Sequence, residues 1–497
     1  MRNIFLKLIL LCSLLLFSFS AFTQHKKNYL FTRFGKVNGL AADMAFCVAQ
    51  DLQGYIWIGT DRGLQRYDGK KFLTFRNDKT NAASIPSNAI SALKIDKKGR
   101  LWVINSNKQV GFLHTGTFRY TRVKIAVPEA FKKNNMLPLI EDHDGILHIS
   151  IQGYGVITYN ESTNEFSAAY NRIIPVDGSI AQEINAGSKK GEYLVTTLRG
   201  FDQYNSLTKQ WAPRNSNIFL SNMNKVLIEE NAMGPAHVFT DKKGRTWADM
   251  WLDGKKGQGP EVYSYDPAAN LFTGYKQSIG MAAMGYHSIN GLLEQQDGSI
   301  WLYGTNLFAR FNESKQIFED VRNETLKVNG IDLENIFQLY EDKDANIWIP
   351  SSNGLFMFNP GRQVFSNLPN KRNDIKPKEY KNSTDAILQS KSGIIYSSAW
   401  GGGIFAYDSN FNVVQNPIIP VAAHNDGISG WDMHERSNGE IWIGMQGGSI
   451  RVYLPGTKKT AEIKTTVFDN KTVRQVIEDS SGNMWVGTQY GRVIKCS

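Results

Sequence analysis

"DLQGYIWIGTDRGLQRYDG", residues 51–69, is the stretch whose reading decides the fold. Asp51 is followed by Gly54, Trp57, Gly59, Gly63 and Tyr67. Asp-x-x-Gly is a hairpin turn: the aspartate accepts from a backbone N–H two residues on, and glycine takes the positive φ. "MAFCVAQD" before the turn reads as a first strand and "IWIGT" after it as a second. The second is apolar on successive positions rather than alternating, which means burial on both faces. "GLQRYD" and "KFLTF" supply a third and a fourth strand.

The string returns along the chain. "DKKGRLWVI" begins at Asp96, "DHDGILHIS" at Asp142, "SKKGEYLVTTLRGFDQYN" at Ser188 and "DKKGRTWAD" at Asp241. Further copies begin at Gln295, Asp342, Ser390, Arg436 and Asp479. The tryptophan position falls at Trp57, Trp102, His148, Leu194, Trp247, Trp301, Trp348, Tyr396, Trp442 and Trp485. Most intervals are 43 to 48 residues; those on either side of Trp247 are 53 and 54. Ten copies of four antiparallel strands, buried on both faces, predict an all-β fold of ten four-stranded β-propeller blades. The tryptophan is expected to fill the wedge between neighbouring blades. Residues that recur in every blade serve the blade, so Asp51, Gly54, Trp57, Gly59, Gly63 and Tyr67 are read as scaffold rather than site.

Composition agrees. The 497 residues are 41% hydrophobic and 21% charged, and 44 glycines against 15 prolines with 12% aromatics suit short strands and tight turns. The formal charge is +10, but Lys and Arg are scattered through turns such as "DKKGR" rather than striped along one element. No nucleic-acid partner is expected. "MRNIFLK", the apolar "LILLCSLLLFSFS" and the small residues of "AFT" before Gln24 read as a signal peptide over 1–23. The mature chain is therefore expected in the periplasm or outside the cell. After cleavage Cys47 and Cys496 remain at opposite ends, which excludes a disulfide framework. Cys47, within "AFCVAQD", reads as a small buried hydrophobe.

"FGKVNGLAADMAFCVAQDLQGYIWIGTDRGLQRYDG" and "VIEDSSGNMWVGTQYG" closely resemble the two-component regulator propeller repeat, and the repetition extends the likeness over residues 29–495. The copies at Leu194 and Trp247 are degenerate. The resemblance implies the periplasmic sensor region of a Bacteroidetes hybrid two-component system or sensor histidine kinase. Such sensors have two seven-bladed propellers, an immunoglobulin-like domain, a membrane helix and a kinase. Ten repeats ending at "GRVIKCS" depart from that plan, so the expectation is a truncated or split form without its own kinase and without enzymatic activity. "YLFTRF", residues 29–34, reads as an outermost strand. It completes blade seven, giving a seven-bladed propeller over 24–360 and three further blades over 361–497. Alternatively it completes blade ten and closes one ten-bladed ring.

No H-E-x-x-H, Walker loop, G-x-S-x-G or paired C-x-x-C occurs. "DKDAN" at 342–346 lacks the glycine and the terminal glutamate of a calcium loop. The histidines have no metal-ligand spacing. No cofactor or metal is expected. What varies between copies is the loops between second and third strands and those leading into each first strand, which open on one face around the channel. The former hold Asp61, Arg62, Tyr154, Arg199, Trp251, Asp253, Asn306, Asn353, Trp400, Gln489 and Tyr490; the latter add His287 and Trp431. Aromatic faces beside Arg, Asp and Asn suit a sugar. The expected partners are a glycan or oligosaccharide, with a membrane histidine kinase or a second copy of the chain for output. A secreted adhesion scaffold, or a propeller lyase or glycosidase, is the alternative.

Overall fold

The computed structural model describes residues 29–496 except 135, 137–138, 143, 172–180, 187–189, 198–199, 217, 230–232, 255–256, 276–287, 322–334, 363–382, 400–402, 409–412, 415–417 and 419–429. The expected signal peptide lies outside the described residues. Two compact units divide residues 27–497, Lys27–Phe365 and Ser366–Ser497.

The opening stretch forms the strands its pattern predicts: Ala45–Gln50, Ile56–Thr60, Gly63–Tyr67 and Phe72–Phe75, paired antiparallel in chain order. Ile56–Thr60 is buried along its whole length. The same order repeats through the first unit, including the degenerate copies, whose second strands are Glu192–Thr197 and Thr246–Gly254. The blades containing Trp102 and His148 also join at their rims, where Glu165–Ser167 runs parallel to part of Tyr120–Ala126. The fold is an all-β propeller.

One sheet of the first unit is not contiguous in sequence. Thr32–Phe34 pairs antiparallel with Gly354–Phe358, setting Thr32 opposite Met357 and Phe34 opposite Leu355. The N-terminal strand thus supplies the outermost strand of the blade that holds Trp348. Phe34 stacks on the Trp348 ring at 5.7 Å. Trp348 in turn packs with Leu40, Val48 and Ile58 of the opening blade. The ring of the first unit is closed by strand pairing, and its seam is sealed by apolar contact.

Innermost strands have a free edge, which side chains of the preceding blade cap. Val48 N donates to Gln338 Oε1 at 2.7 Å and Gln50 N to the Tyr340 hydroxyl at 2.9 Å. In the second unit Val476 N donates to Asp432 Oδ2 and Glu478 N to His434 Nε2. Backbone donors at an uncovered edge would otherwise recruit other strands.

The helix Ile218–Glu229 follows the strand Gln210–Ala212 and accounts for part of the 53-residue interval. Phe219, Leu220 and Met223 bury its apolar face against Phe201 and Met250. Asn224 ties it down, its Oδ1 accepting from Phe201 N at 3.1 Å.

The second unit repeats the pattern in Thr384–Gln389 to Gly403–Tyr407, Gly430–Glu435 to Lys459–Lys464, and Val473–Glu478 to Val493–Cys496. Trp485 is 37% exposed here, whereas Trp57, Trp102, Trp247 and Trp301 are fully buried.

Candidate functional site

Most of the described innermost strands carry an irregularity near the end that faces the variable loops. The register slips between Ala45 and Cys47, Ile90 and Ala92, Ile289 and Gly291, Thr384 and Ala386, Gly430 and Asp432, and Val473 and Gln475. A bulge leaves one residue without a ladder partner and re-aims its side chain. The local cause is visible at Gly59, opposite Cys47: a Cβ there would lie 2.5 Å from Cys47 Sγ and 2.8 Å from an Ile90 methyl. At Gly304 the same addition would meet Ser288 O at 1.9 Å. The recurrent glycine of the second strand therefore makes room for the bulged strand and its neighbour. Cys47 is buried, and loss of water pushes its thiol far above the ordinary range despite a backbone hydrogen bond from Gly59. It is a packing residue, not a nucleophile.

The bulge residues differ between the units. In the first, they serve the ring. Asn290 Nδ2 donates to Asn335 Oδ1 at 2.7 Å and to Ile336 O at 2.9 Å, knitting one blade to the next. Ser91 Oγ donates to Ile104 O, and Phe46 packs against Phe337 with centroids 5.1 Å apart. In the second, the bulge residues of three consecutive blades are Asp385, Trp431 and Arg474. Arg474 lays its guanidinium 3.5 Å from the centroid of the half-buried Trp431 ring. Asp385 Oδ1 accepts from Ser383 Oγ at 3.0 Å, while its buried Oδ2 has no hydrogen-bond partner among the described residues. An aromatic plate, a guanidinium and a carboxylate oxygen are thus presented from equivalent positions of neighbouring blades.

The loop residues read from sequence fare unequally. Asp61 and Arg62 are exposed on a tight turn whose shape Thr60 fixes, its Oγ1 donating to Gly63 O and accepting from Arg62 N. Tyr154 is half-buried against Phe131, centroids 5.1 Å apart. Asn306 forms a one-residue turn at φ 52° between the strands Ile300–Thr305 and Leu307–Asn312. Asn353 accepts from Arg33, at 2.5 Å on its Oδ1 and at 3.2 Å on its carbonyl, and so helps hold the closing strand. Trp251 and Asp253 are not in a loop: the hairpin lengthens to Thr246–Gly254 and Gly257–Asp266, with Trp251 opposite Pro260 and Asp253 opposite Gln258. Trp431 likewise sits in the strand Gly430–Glu435 rather than in the loop before it. Tyr490 is 80% exposed, with Lys471 Nζ 5.3 Å from its ring centroid, and Gln489 N donates to Thr472 O. Arg199, His287 and Trp400 lie outside the described residues, as does the side chain of Asp253. The placed residues come from separate blades. Asp385 and Arg474 were missed because a bulge has no composition of its own; their signal is position, the same offset before the turns that begin at Ser390 and Asp479 as Trp431 has before Arg436.

Among the described residues no three His, Cys, Asp or Glu side chains gather as a metal site. No described helix is long and apolar enough to cross a membrane.

Residues 467–490, spanning the last innermost strand, the Asp479 turn and Trp485, match the family described as two component regulator propeller. The last copy of the repeat is thus similar to the two-component regulator propeller repeat. Over 85 residues it is 34% identical to histidine kinase P4 of Formosa agariphila, a segment covering 17% of this chain and 6% of that protein. Its fold is similar to the crystal structure of the extracellular domain of the hybrid two component system BT3049 from B. thetaiotaomicron, with TM-score 0.66 and 17% identity. That likeness covers 94% of this propeller and 59% of the other chain, so the propeller spans well under two thirds of the length of the relatives it matches.

Proposed function

We propose that this propeller is an exported ligand-sensing module of two-component signalling that binds a glycan or oligosaccharide without transforming it and passes the signal to a histidine kinase. The observation that carries the reading is the family repeat, joined to a fold shared with the extracellular domain of a hybrid two component system. The placement of Asp385, Trp431 and Arg474 supports a sugar: the indole offers an apolar plate, and the carboxylate and guanidinium offer an acceptor and donors for hydroxyls. Trp251, in a second strand of the first unit, is a separate aromatic candidate. Export follows from the leader-like segment at 1–23, and a mature N-terminus at Gln24 is the expected result of sequencing the processed protein.

Calorimetry of the full chain against a glycan panel, with product analysis of the same mixtures, tests the reading. Saturable heat without new products is expected. Trp431→Ala should weaken binding by about 2 kcal/mol or more, as loss of an interface aromatic does, and leave thermal unfolding unchanged. Steady release of a shortened or unsaturated sugar would replace the sensor reading with an enzymatic one. Unchanged affinity in both Trp431→Ala and Trp251→Ala would remove the loop face as the site.

A further inference from the structure

The first unit holds a recess in its channel, at the end away from the variable loops. It measures about 390 Å³ and is lined by four consecutive innermost strands, those of the blades holding Trp348, Trp57, Trp102 and His148. Val48, Leu93, Ile95 and Leu139 give it apolar walls. Lys94 and Tyr340 enter it two residues before the turn aspartates Asp96 and Asp342, and Gln338 two residues earlier still.

These three polar side chains have donors to spare. Tyr340 and Gln338 each accept from the backbone of the opening blade, Tyr340 through its hydroxyl oxygen and Gln338 through Oε1. That leaves the phenolic O–H and the amide N–H₂ to donate. The Lys94 ammonium makes no hydrogen bond or ion pair with any described residue. Burial pushes its ammonium below the usual lysine range; Glu141 and Asp96 pull the other way from a distance, and Lys97 adds to the push. Neither carboxylate is idle: Glu141 accepts from Lys97 N, and Asp96 accepts from Arg100 and Trp102. A half-buried ammonium with no carboxylate in contact, beside two further donors and apolar walls, is an unfavourable arrangement unless an anion completes it.

We infer that this recess binds a small organic carboxylate, whose two oxygens accept from Lys94 Nζ, the Gln338 amide and the Tyr340 hydroxyl. A carboxylate offers about four lone-pair positions, enough for three donors. The apolar walls exclude a fully hydrated inorganic ion and leave room for a carbon skeleton of monosaccharide size. The inference does not lean on the loop-face reading, since no residue is shared between the two.

Calorimetry on the full chain with glucuronate, glucose and acetate tests it. Glucuronate and glucose match in size and differ in the carboxylate. One glucuronate per chain is expected to bind, acetate more weakly, and glucose without measurable heat at this site. Lys94→Met, which fills the same volume without charge, should unfold at the wild-type temperature or above and weaken glucuronate by about tenfold or more, as loss of a charged hydrogen-bond partner does. Lys94→Arg should retain most of the affinity, and Trp431→Ala all of it. Equal binding of glucuronate and glucose, the same glucuronate affinity in folded Lys94→Met, or no binding of either carboxylate would each overturn the inference.

Discussion

Where a blade has a turn aspartate, its two oxygens serve two tasks. In the opening blade Oδ1 accepts from Gln53 N and Tyr55 N, which shapes the turn, while Oδ2 accepts from Trp57 Nε1 at 2.7 Å. The same indole bond recurs at Trp102, Trp247, Trp348 and Trp485. Where the aspartate is replaced the bond adapts: Trp301 donates to Gln295 Oε1, and Trp442, six residues after Arg436, donates to Glu440. The recurrence of Asp and Trp was legible in the sequence, and so was the turn. The bond between them was not, because residues six apart on either side of a hairpin meet only once the two strands pair. Trp57→Ala should destabilise the protein by about 3–5 kcal/mol, as loss of a buried aromatic does, and urea unfolding measures it. Trp485→Ala should cost clearly less, since that ring is 37% exposed; equal losses would contradict the wedge role. A histidine takes the tryptophan position in the third blade. Its Nε2 lies 3.2 Å from Asp142 Oδ2, and Tyr193 donates to the same oxygen at 2.9 Å. Burial alone would raise the Asp142 carboxyl, but the bonds from His148, Ile146 N and Tyr193 outweigh it and hold the group at about 2. A depressed carboxylate stabilises the fold fully above its unfolded value near 4 and loses that contribution as pH falls through about 2. Asp142→Asn should therefore show a shallower fall in urea midpoint between pH 5 and pH 2 than the wild type. Parallel acid limbs would show that this carboxylate carries none of the slope.

Between elements, one bond repeats from blade to blade. The residue after the first turn position, an aspartate in the regular copies, donates its backbone N–H to an acidic or amide side chain on the next blade, just before that blade's own turn. Lys97 N reaches Glu141, Lys242 N reaches Glu294, Gln296 N reaches Glu341 and Lys391 N reaches Glu435. At the seam Lys343 N donates to Gln50 Oε1 at 2.8 Å, so an amide oxygen serves as well. Glu435→Ala should cost about 1–2 kcal/mol by leaving a turn N–H without its partner, and Glu435→Gln distinctly less, both read from urea midpoints. Equal losses would mean that charge, not the acceptor, is what matters there. At this scale the strands of the regular copies were legible from hydrophobic runs and turn residues. The helix Ile218–Glu229 went unread, although "IFLSNMNKVLIE" spaces Phe219, Leu220, Met223, Val226 and Leu227 along one face; attention to the repeat treated the long interval as a degenerate blade. The bulges went unread for a different reason. They depend on the glycine of the facing strand, and alternation within one strand does not report a slip against its neighbour.

At the scale of the whole molecule, closure decides what can fold. The expectation that "YLFTRF" is an outermost strand came from its position before the first copy, and its sequence left two partners open. Thr32–Phe34 pairs with Gly354–Phe358 through contacts the sequence does not display: Arg33 on Asn353, Phe34 on Trp348, and the buried Tyr29 edge-on to Trp301 and Phe358. A fragment of residues 27–365 carries both partners of this pairing. It should express as a soluble monomer and unfold in one cooperative transition. A fragment of 36–365 keeps every other strand pair of that unit but strips the outer edge of Gly354–Phe358 and uncovers Trp348. An open, apolar edge recruits other strands, so this shorter fragment should aggregate or elute as oligomers. Adding a synthetic peptide of residues 27–35 should restore monomer, because the edge then regains its partner without a covalent link. Size-exclusion chromatography with light scattering reads all three states. If 36–365 is as monomeric and as stable as 27–365, the N-terminal strand is an ornament and the ring is held by inter-blade packing alone.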